Sequence, residues 1–305
     1  MEVKGVPVED TYCEAFDGLL ARILVTAKTE KLLLRAVNSA TALPSTVFNE
    51  AEGGIEKLLK PSETPDGRLG AIIQLWVNHT KKAHETLEHE LAKRIRQGIL
   101  VVPTTRIFNA LSSKNKDPKL QAEDYIDTMA KVGHCGDGYE RVIRAFGREM
   151  ISIPLMMGDF LIERMLGVRR GVMGGNVWFF CESESAALEA GDRAVDALRD
   201  VGGVITPFDI CSAGSKVETN FPEIGPTTNH PFCPTCRSEI PDSKVPDGIK
   251  SIPEIVIDGL DLESVKEGMK VAIYAGAEVD GVARISAGNY GGKLGRYHIR
   301  LRELI

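Results

Sequence analysis

The sequence lacks three features that would assign it to a specialised class of protein. Its six cysteines are too few in 305 residues for a disulfide-stapled secreted fold. It has no apolar run close to the ~18 residues of a membrane span, and its acidic N-terminal stretch has no signal-peptide core. Lysine and arginine number 37 against 43 aspartates and glutamates, so the net charge of -6 argues against a nucleic-acid surface. We therefore expect a cytoplasmic protein that binds neither membrane nor nucleic acid.

The chain contains a repeated order of secondary structure, read from hydrophobic periodicity and from capping and stop residues. The first copy is predicted as strand 21–27, helix 29–41, strand 45–48, strand 70–77, helix 80–98 and strand 99–102. The second copy is predicted as strand 177–181, helix 185–201, strand 203–208, strand 254–258, a helix capped by Asp261, and strands 282–287 and 297–301. In the helix 185–201, Leu188, Val195 and Leu198 are expected to face the core.

Two copies of a β-α-β-β-α-β order predict two ferredoxin-like split-βαβ lobes in an α/β (α+β) protein. Each copy is interrupted between its second and third strands, by residues 49–69 in the first and 209–252 in the second. Long insertions without structure of their own are typical of functional or disordered segments. We place the lobe boundary near residue 148, which gives an N-terminal lobe 1–148 and a C-terminal lobe 149–305.

A glycine-rich segment, Ile285-Ser-Ala-Gly-Asn-Tyr-Gly-Gly-Lys-Leu-Gly295, follows the strand 282–287. It lacks the spacing of a phosphate-binding P-loop and joins strand to strand, so it is not a dinucleotide fingerprint either. Glycines bring backbone N–H groups close to a neighbour, because they have no Cβ and tolerate positive φ. The segment is therefore either a ligand-binding loop or a tight turn between strands.

Glu254 opens a strand with the apolar sequence Ile-Val-Ile after it. A glutamate at a strand start is commonly a solvated chain end. If the carboxyl group is instead desolvated by its apolar neighbours, its pKa rises and it can act as a general acid.

Two groups of residues resemble metal ligands. His84 and His89 are five residues apart on a helix, whereas the zinc motif needs four, so an exposed charged helix face is the better interpretation. Cys233 and Cys236 form a C-x-x-C pair, which Cys211 and His230 would complete as a structural zinc site. A redox dithiol and two unrelated buried thiols are the alternatives, and the second, with no metal bound, is the interpretation that we favour.

Ten strings occur in an order that resembles the formylmethanofuran:tetrahydromethanopterin formyltransferase family over nearly the whole chain. They are Glu9-Asp-Thr-Tyr-x-Glu-Ala-Phe16, Ser62-Glu-Thr-Pro-Asp-Gly-Arg68, Gly136-Asp-Gly138, Gly158-Asp-Phe160, Gly174-Gly-Asn176, Ser215-Lys-Val217, Thr228-Asn229, Cys233-Pro-Thr235, Glu254-Ile-Val-Ile-x-Gly-Leu260 and the glycine-rich segment.

The resemblance implies two ferredoxin-like lobes, a homotetramer, and transfer of a formyl group from the amine of methanofuran to a ring nitrogen of tetrahydromethanopterin. It implies no bound cofactor, with the two carriers as co-substrates, and it aligns the catalytic carboxylate of the family with Glu254. Backbone N–H groups of Gly174 and Gly175 or of the glycine-rich segment, or the Asn229 amide, are our candidates for oxyanion donors. The expected substrate contacts are Gly174, Gly175, Asn176, Ser215, Lys216, Asn229, Asn289, Gly291, Gly292 and Lys293.

The sequence departs from the family pattern within its two predicted insertions. The stretch 208–215 is shorter and lacks a glycine pair, the segment 42–50 differs, His230 replaces the usual aspartate, and Cys236 is an addition. These departures leave two functions open. The first is a formyltransferase, which includes a divergent paralogue with an altered carrier, and the second is a non-catalytic scaffold or carrier-binding subunit of a larger one-carbon complex.

Overall fold

The structure is a computed structural model that describes residues 1–43, 50–212 and 230–305. Contacts divide it into two compact units, one of Met1–Asp17 with Val172–Ile305 and the other of Gly18–Gly171. No helix in the described ranges is long and apolar enough to cross a membrane. The predicted strand 45–48 lies outside the described residues.

The described elements are fifteen strands and four α-helices, with short 3₁₀ turns and one π-helix between them. The strands are β1 (Glu2–Val3), β2 (Val6–Pro7), β3 (Tyr12–Ala27), β4 (Glu52–Leu59), β5 (Leu69–Asn78), β6 (Arg106–Asn109), β7 (Asp124–Asp127), β8 (Arg141–Ala145), β9 (Arg148–Leu155), β10 (Gly158–Glu163), β11 (Met165–Cys181), β12 (Val204–Ile205), β13 (Glu254–Gly259), β14 (Val282–Ser286) and β15 (Tyr297–Arg300). The helices are α1 (Glu30–Thr41), α2 (Ala83–Arg94), α3 (Glu184–Leu198) and α4 (Leu262–Gly276), and the π-helix is Ile95–Leu100.

The unit Gly18–Gly171 is built on an antiparallel sheet in the order β4-β5-β3-β6. Helix α1 connects β3 to β4, and α2 with the π-helix connects β5 to β6. This is the order of a ferredoxin-like split βαβ. Alternate residues of a strand share one face, so Ile23 and Val25 pack against Leu33 of α1 and Leu87 of α2. Strands β10, β9 and β8 extend the sheet beyond β6.

The unit Met1–Asp17 with Val172–Ile305 repeats the same order as β12-β13-β11-β14, again antiparallel. Helices α3 and α4 cover one face, where Ala190 and Met269 pack against Phe179 and Ile257. The side chain of Asp261 accepts a hydrogen bond from the Ser264 N–H at 2.7 Å and caps α4, as predicted. The prediction of two ferredoxin-like lobes is therefore confirmed.

Three details of the prediction were wrong. The segment 49–69 is not an insertion, because it contains β4, whose glycine Gly53 lets the strand approach Gln74 and Leu75 of β5 closely. The apolar run 99–102 is not a strand, since it continues α2 as a π-helix and the fourth strand is β6. The side chain of Leu188 is exposed rather than in the core, and Ala187 and Ala190 face the core instead.

The contacts of the N-terminal residues do not follow the predicted division of the chain at residue 148. Residues Tyr12 to Ala15 of β3 pair with β15, which assigns the first 17 residues to the unit that holds the C-terminus. Both β3 and β11 run across a unit boundary. The boundary at 148 stays a prediction about the sequence repeat.

The second predicted insertion does separate β12 from β13. Its described C-terminal part, from His230 onward, has two short 3₁₀ turns and contributes Phe232, Val245 and Ile249 to a small apolar cluster with Trp178 and Phe180 of β11. This cluster lies beside the residue that the sequence singles out most strongly, Glu254.

Candidate active site

Glu254 is the first residue of β13 and pairs across the sheet with Trp178 of β11. The indole Nε1–H of Trp178 donates to Oε1 of Glu254 at 2.9 Å. The main chain of Glu254 exchanges two hydrogen bonds, of 2.8 and 3.0 Å, with Cys211. The Glu254 side chain is thus held by β11 on one side, and its backbone by the start of the insertion on the other.

The environment of Glu254 raises the pKa of its carboxyl group. Burial is the main cause, and the hydrogen bond from Trp178 lowers the pKa by less than burial raises it. The residue as a whole is neither fully buried nor fully exposed. A carboxyl group that keeps its proton to higher pH than an ordinary glutamate is suited to general acid–base catalysis. The direction of this shift agrees with the desolvated alternative, and the catalytic role of Glu254 stays a prediction.

Trp178 is held in place by the insertion. The ring of Phe232 packs edge-on against Trp178, with 5.3 Å between centroids, and against Phe180 at 5.9 Å. Such aromatic pairs stabilise a structure beyond the area that they bury. The segment after His230 therefore fixes the indole that donates to Glu254.

Replacing Trp178 with phenylalanine is expected to raise the pKa of Glu254 further, because the N–H that stabilises the carboxylate is lost while an aromatic ring remains. The pH dependence of kcat/KM should show the Glu254 titration at higher pH than in the wild-type protein. The ionisable groups that interact with Glu254 here, Cys211 and Tyr290, are unchanged in this variant. Trp76→Phe, which removes an indole bond to Gln74, is the matched control. A titration that stays in place or moves to lower pH would contradict the assignment.

The glycine-rich segment wraps a carboxylate of the protein itself. Glu14 of β3 is almost fully buried, with 1% of its surface exposed. Its two oxygens accept hydrogen bonds from four backbone N–H groups of the segment, those of Tyr290, Gly292, Leu294 and Gly295. Burial raises the pKa of Glu14, but these four N–H groups together lower it by more, so that its pKa lies below the ordinary value.

Two asparagines that were predicted to contact substrate hold the same segment. Asn176 of β11 accepts from the Gly288 N–H at 2.7 Å and donates to the Gly288 carbonyl at 3.2 Å. Asn289 donates to the Tyr12 carbonyl at 3.1 Å and accepts from the Gly291 N–H at 3.0 Å. The N–H groups of Gly288 and Gly291 are therefore bound within the protein, like those that bind Glu14.

The predicted oxyanion donors Gly174 and Gly175 have structural roles here. The Gly174 N–H donates to Oδ1 of the buried Asp258 at 2.9 Å. At Gly175 a Cβ would lie 2.4 Å from Cγ1 of Val265, so packing against α4 requires glycine there. The backbone N–H of Gly174 is thus occupied, and the donor prediction is not supported at that residue.

Gly291 and Gly292 have φ values of +70° and +74°, which favour glycine, so the turn interpretation of these residues also holds. The side chain of Lys293 beside them is exposed. Three predicted contacts, Ser215, Lys216 and Asn229, lie outside the described residues.

The four zinc candidates are not brought together as a ligand set. Within the described ranges, which include Cys211, His230, Cys233 and Cys236, there is no group of three or more residues that could hold a metal ion. Cys211 lies beside Glu254, and burial raises the pKa of its thiol to about 12. Cys233 flanks the short 3₁₀ turn Pro234–Cys236, and its sulfur lies 3.1 Å from the Thr235 hydroxyl.

Sequence reasoning missed the roles of Glu14 and Tyr290. The Tyr290 ring packs edge-on against Phe16, with 6.4 Å between centroids. Burial first, and then the charges of Glu254 and Glu14, raise the pKa of its phenol, so it stays a hydroxyl donor. The signals were a tyrosine inside the glycine-rich segment and a glutamate in the N-terminal string, 276 residues apart.

Comparison with known proteins is consistent with this arrangement. A family model described as formylmethanofuran-tetrahydromethanopterin formyltransferase matches residues 1–155, and one described as the FTR proximal lobe matches residues 158–304. A formyltransferase-like protein of Archaeoglobus fulgidus is 60% identical over 305 residues, covering 100% of this chain and 98% of that protein.

Two solved structures resemble the whole chain. The formylmethanofuran:tetrahydromethanopterin formyltransferase of Methanosarcina barkeri has a TM-score of 0.88 at 41% identity, covering 100% of both chains. A chain of the formyltransferase/hydrolase complex of Methylorubrum extorquens, solved with methylofuran, has a TM-score of 0.88 at 34% identity, covering 100% of this chain and 98% of that one.

Proposed function

The chain belongs to the formylmethanofuran–tetrahydromethanopterin formyltransferase family, a family of transferases, and from this premise we propose that it moves a formyl group between a methanofuran-type amine and tetrahydromethanopterin. The observation that carries the proposal is Glu254, whose carboxyl group has a raised pKa and accepts a hydrogen bond from the indole of Trp178. Both carriers are substrates, and the proposal requires no resident cofactor.

The reaction is acyl transfer from an amide to an amine. The pterin nitrogen attacks the formyl carbon, a new C–N bond forms, and the carbonyl oxygen becomes an oxyanion. When the intermediate collapses, the old C–N bond breaks and the methanofuran amine leaves. The proton lost by the entering nitrogen must reach the leaving nitrogen, and Glu254 is the group that we assign to this transfer. Holding both carriers in one complex supplies a further part of the acceleration.

We assign stabilisation of the oxyanion to the hydroxyl of Tyr290 rather than to backbone N–H groups. The nearby N–H groups of Gly174, Gly288, Tyr290, Gly291 and Gly292 are already donated to protein acceptors. The phenol is partly exposed, stays protonated, and has no hydrogen-bond partner anywhere in the described ranges. The nest of N–H groups around Glu14 positions this tyrosine, because one of its four bonds comes from the Tyr290 backbone.

Replacing Tyr290 with phenylalanine is expected to lower kcat by about 10²–10³-fold, the usual effect of removing one oxyanion donor. KM should change little, because the donor acts on charge that develops only in the transition state. Steady-state kinetics with both carriers varied would measure this. Tyr274→Phe, at a partly exposed tyrosine of α4, is the control. A variant with wild-type kcat would exclude Tyr290 as the donor.

The proposed function is tested with the purified protein, a formylated methanofuran-type amine and tetrahydromethanopterin, by following formyl transfer in both directions. Transfer by the isolated protein supports the formyltransferase. If transfer is absent with every furan carrier tried, while the protein is folded, the proposed activity fails.

A second function, that of a non-catalytic scaffold or carrier-binding subunit, is favoured by two observations. The 60% identical relative is described only as formyltransferase-like, and one structural neighbour belongs to a formyltransferase/hydrolase complex. This function predicts stable association with other subunits and no turnover by the isolated chain. Turnover by the isolated protein would exclude it.

Further properties follow from the family resemblance. We propose a homotetramer in the cytoplasm that acts in methanogenesis or in the oxidation of one-carbon compounds. Mass photometry of the purified protein tests the oligomeric state, because a tetramer of 33.2 kDa chains separates clearly from a monomer or dimer.

A further inference from the structure

A second candidate site lies in the unit Gly18–Gly171, and the proposed reaction does not use it. It is a cavity of about 270 Å³ beside α2 and the π-helix Ile95–Leu100. Its lining is basic and contains no carboxylate: His89, Ala92, Lys93, Arg96, Gln97, Ala130, Lys131 and His134. Five of these eight lining residues have cationic or imidazole side chains, in a protein of net charge -6.

Arg96 is the most informative residue of the cavity. Its Nε atom is buried and has no hydrogen-bond partner within the described ranges. Arg96 lines the cavity, and with no acceptor for this N–H among the described residues its guanidinium is available for a charge-assisted bond to an anion. Arg96 lies in the π-helix, and π-helical turns inside α-helices occur frequently at functional sites.

The two lysines of the cavity are neutralised by neighbouring glutamates. Lys93 is bound to Glu90, and Lys131 lies 3.2 Å from Glu88. Arg96 has no such ion pair with any residue that the structure describes, so its positive charge is not neutralised by them. His89 and His134 add imidazole rings; Nδ1 of His134 donates to the Ala130 carbonyl at 3.1 Å, so its Nε2 can donate to an anion only in the imidazolium form.

We infer that this cavity binds a small oxyanion group, namely a phosphate, sulfate or carboxylate, with the guanidinium of Arg96 as its main partner. The planar guanidinium matches the two oxygens of such a group. His89, whose spacing from His84 does not fit the zinc helix motif, is one of the residues that line this cavity. The oxyanion is either a free ion or the anionic end group of a carrier, and only the second source rests on the proposed function.

The test is calorimetric titration of the purified full chain with sodium sulfate, against sodium chloride at equal ionic strength. The wild-type protein is expected to bind sulfate with a Kd on the order of 1 mM or tighter. Arg96→Gln should weaken binding by about 10–100-fold, the loss expected for one charge-assisted bond. Arg199→Gln, which removes an equal charge from the exposed end of α3, should bind like the wild type. Equal sulfate binding by Arg96→Gln and the wild type, or no binding by the wild type, would overturn the inference.

Kinetics distinguish the two sources of the anion. If a carrier tail occupies the cavity, Arg96→Gln raises the KM of the complete carrier and leaves that of a carrier without its anionic tail unchanged. If a free ion occupies it, both KM values stay at wild type while sulfate binding is weakened. Because calorimetry needs no turnover, failure of the formyl transfer assay leaves the sulfate result unaffected, and the two proposals fail separately.

Discussion

Replacing Glu254 with glutamine is expected to lower kcat by about 10²–10⁴-fold, the usual contribution of a positioned general acid or base. Glutamine has nearly the same shape and keeps an oxygen that accepts from Trp178, so the site should stay folded. It has no proton to exchange, so the transfer between the entering and leaving nitrogens is lost. KM should change little, since the carboxyl group acts on the proton that is transferred in the transition state and not on substrate binding. Steady-state kinetics with each carrier in turn would measure both quantities.

The same substitution should stabilise the folded protein at neutral pH. Because the pKa of Glu254 is raised by folding, its contribution to stability is fully present below the pKa of the unfolded state and is lost as pH rises through the folded pKa. Glutamine has no such loss. Urea unfolding at pH 7 should therefore give a higher free energy of unfolding for Glu254→Gln than for the wild type, with the difference vanishing in acid.

The combination of lost activity and gained stability identifies a catalytic group. Substitution of a glutamate with only a structural role would lower activity and stability together. Glu189→Gln, at an exposed ion pair on α3, is the matched control and should alter neither quantity appreciably. Normal turnover by Glu254→Gln would remove this residue from the mechanism.

Replacing Glu14 with glutamine is expected to lower the free energy of unfolding by about 2–4 kcal/mol, because a buried carboxylate that accepts four N–H groups becomes an amide that accepts at one oxygen only. The new NH₂ group would face two of these donors. The glycine-rich segment would lose its anchor, and Tyr290 with it, so kcat should fall as well. Urea unfolding and steady-state kinetics would measure the two effects.

Glu14 and Glu254 contribute to the free energy of unfolding with opposite pH dependence. Because the pKa of Glu14 is lowered in the folded protein, the stability that it contributes is present above the unfolded pKa and is lost as pH falls through the folded pKa. Glu14→Gln should therefore remove part of the acid sensitivity of unfolding. Glu9→Gln, at a partly exposed carboxylate bound by Ser286 and Arg284, is the control. A variant as stable as the wild type at neutral pH would show that the nest is not needed.

The repeat of elements was predictable because each lobe encodes it locally. The apolar stripes, the cap residue Asp261 and the strand runs depend only on near neighbours in the chain. Strand β4 was missed because its glycines and charges are typical of a loop, and its pairing depends on the approach of Gly53 to β5. The run 99–102 was misassigned because periodicity cannot tell a short apolar strand from a short helical turn.

The candidate site was predictable in its residue types and less so in their roles. Glu254 could be named from the sequence because its apolar neighbours follow it directly and because the resemblance aligns it with the catalytic carboxylate of the family. The partner of the glycine-rich segment was not found, because Glu14 lies 281 residues before Gly295, and no spacing rule links residues so far apart. The resemblance brought both strings into view without saying that one binds the other.

The hydrogen bonds between Glu14 and the glycine-rich segment join the two ends of the chain. A fragment that begins at residue 149 would contain Glu254 and the whole glycine-rich segment. It would lack Glu14, whose carboxylate accepts the hydrogen bonds of that segment. This unit is made of two chain segments, Met1–Asp17 and Val172–Ile305, which lie at opposite ends of the sequence. A circular permutant that links Ile305 to Met1 and opens the chain between β9 and β10 would keep the nest intact, whereas halving the gene at its sequence repeat would not.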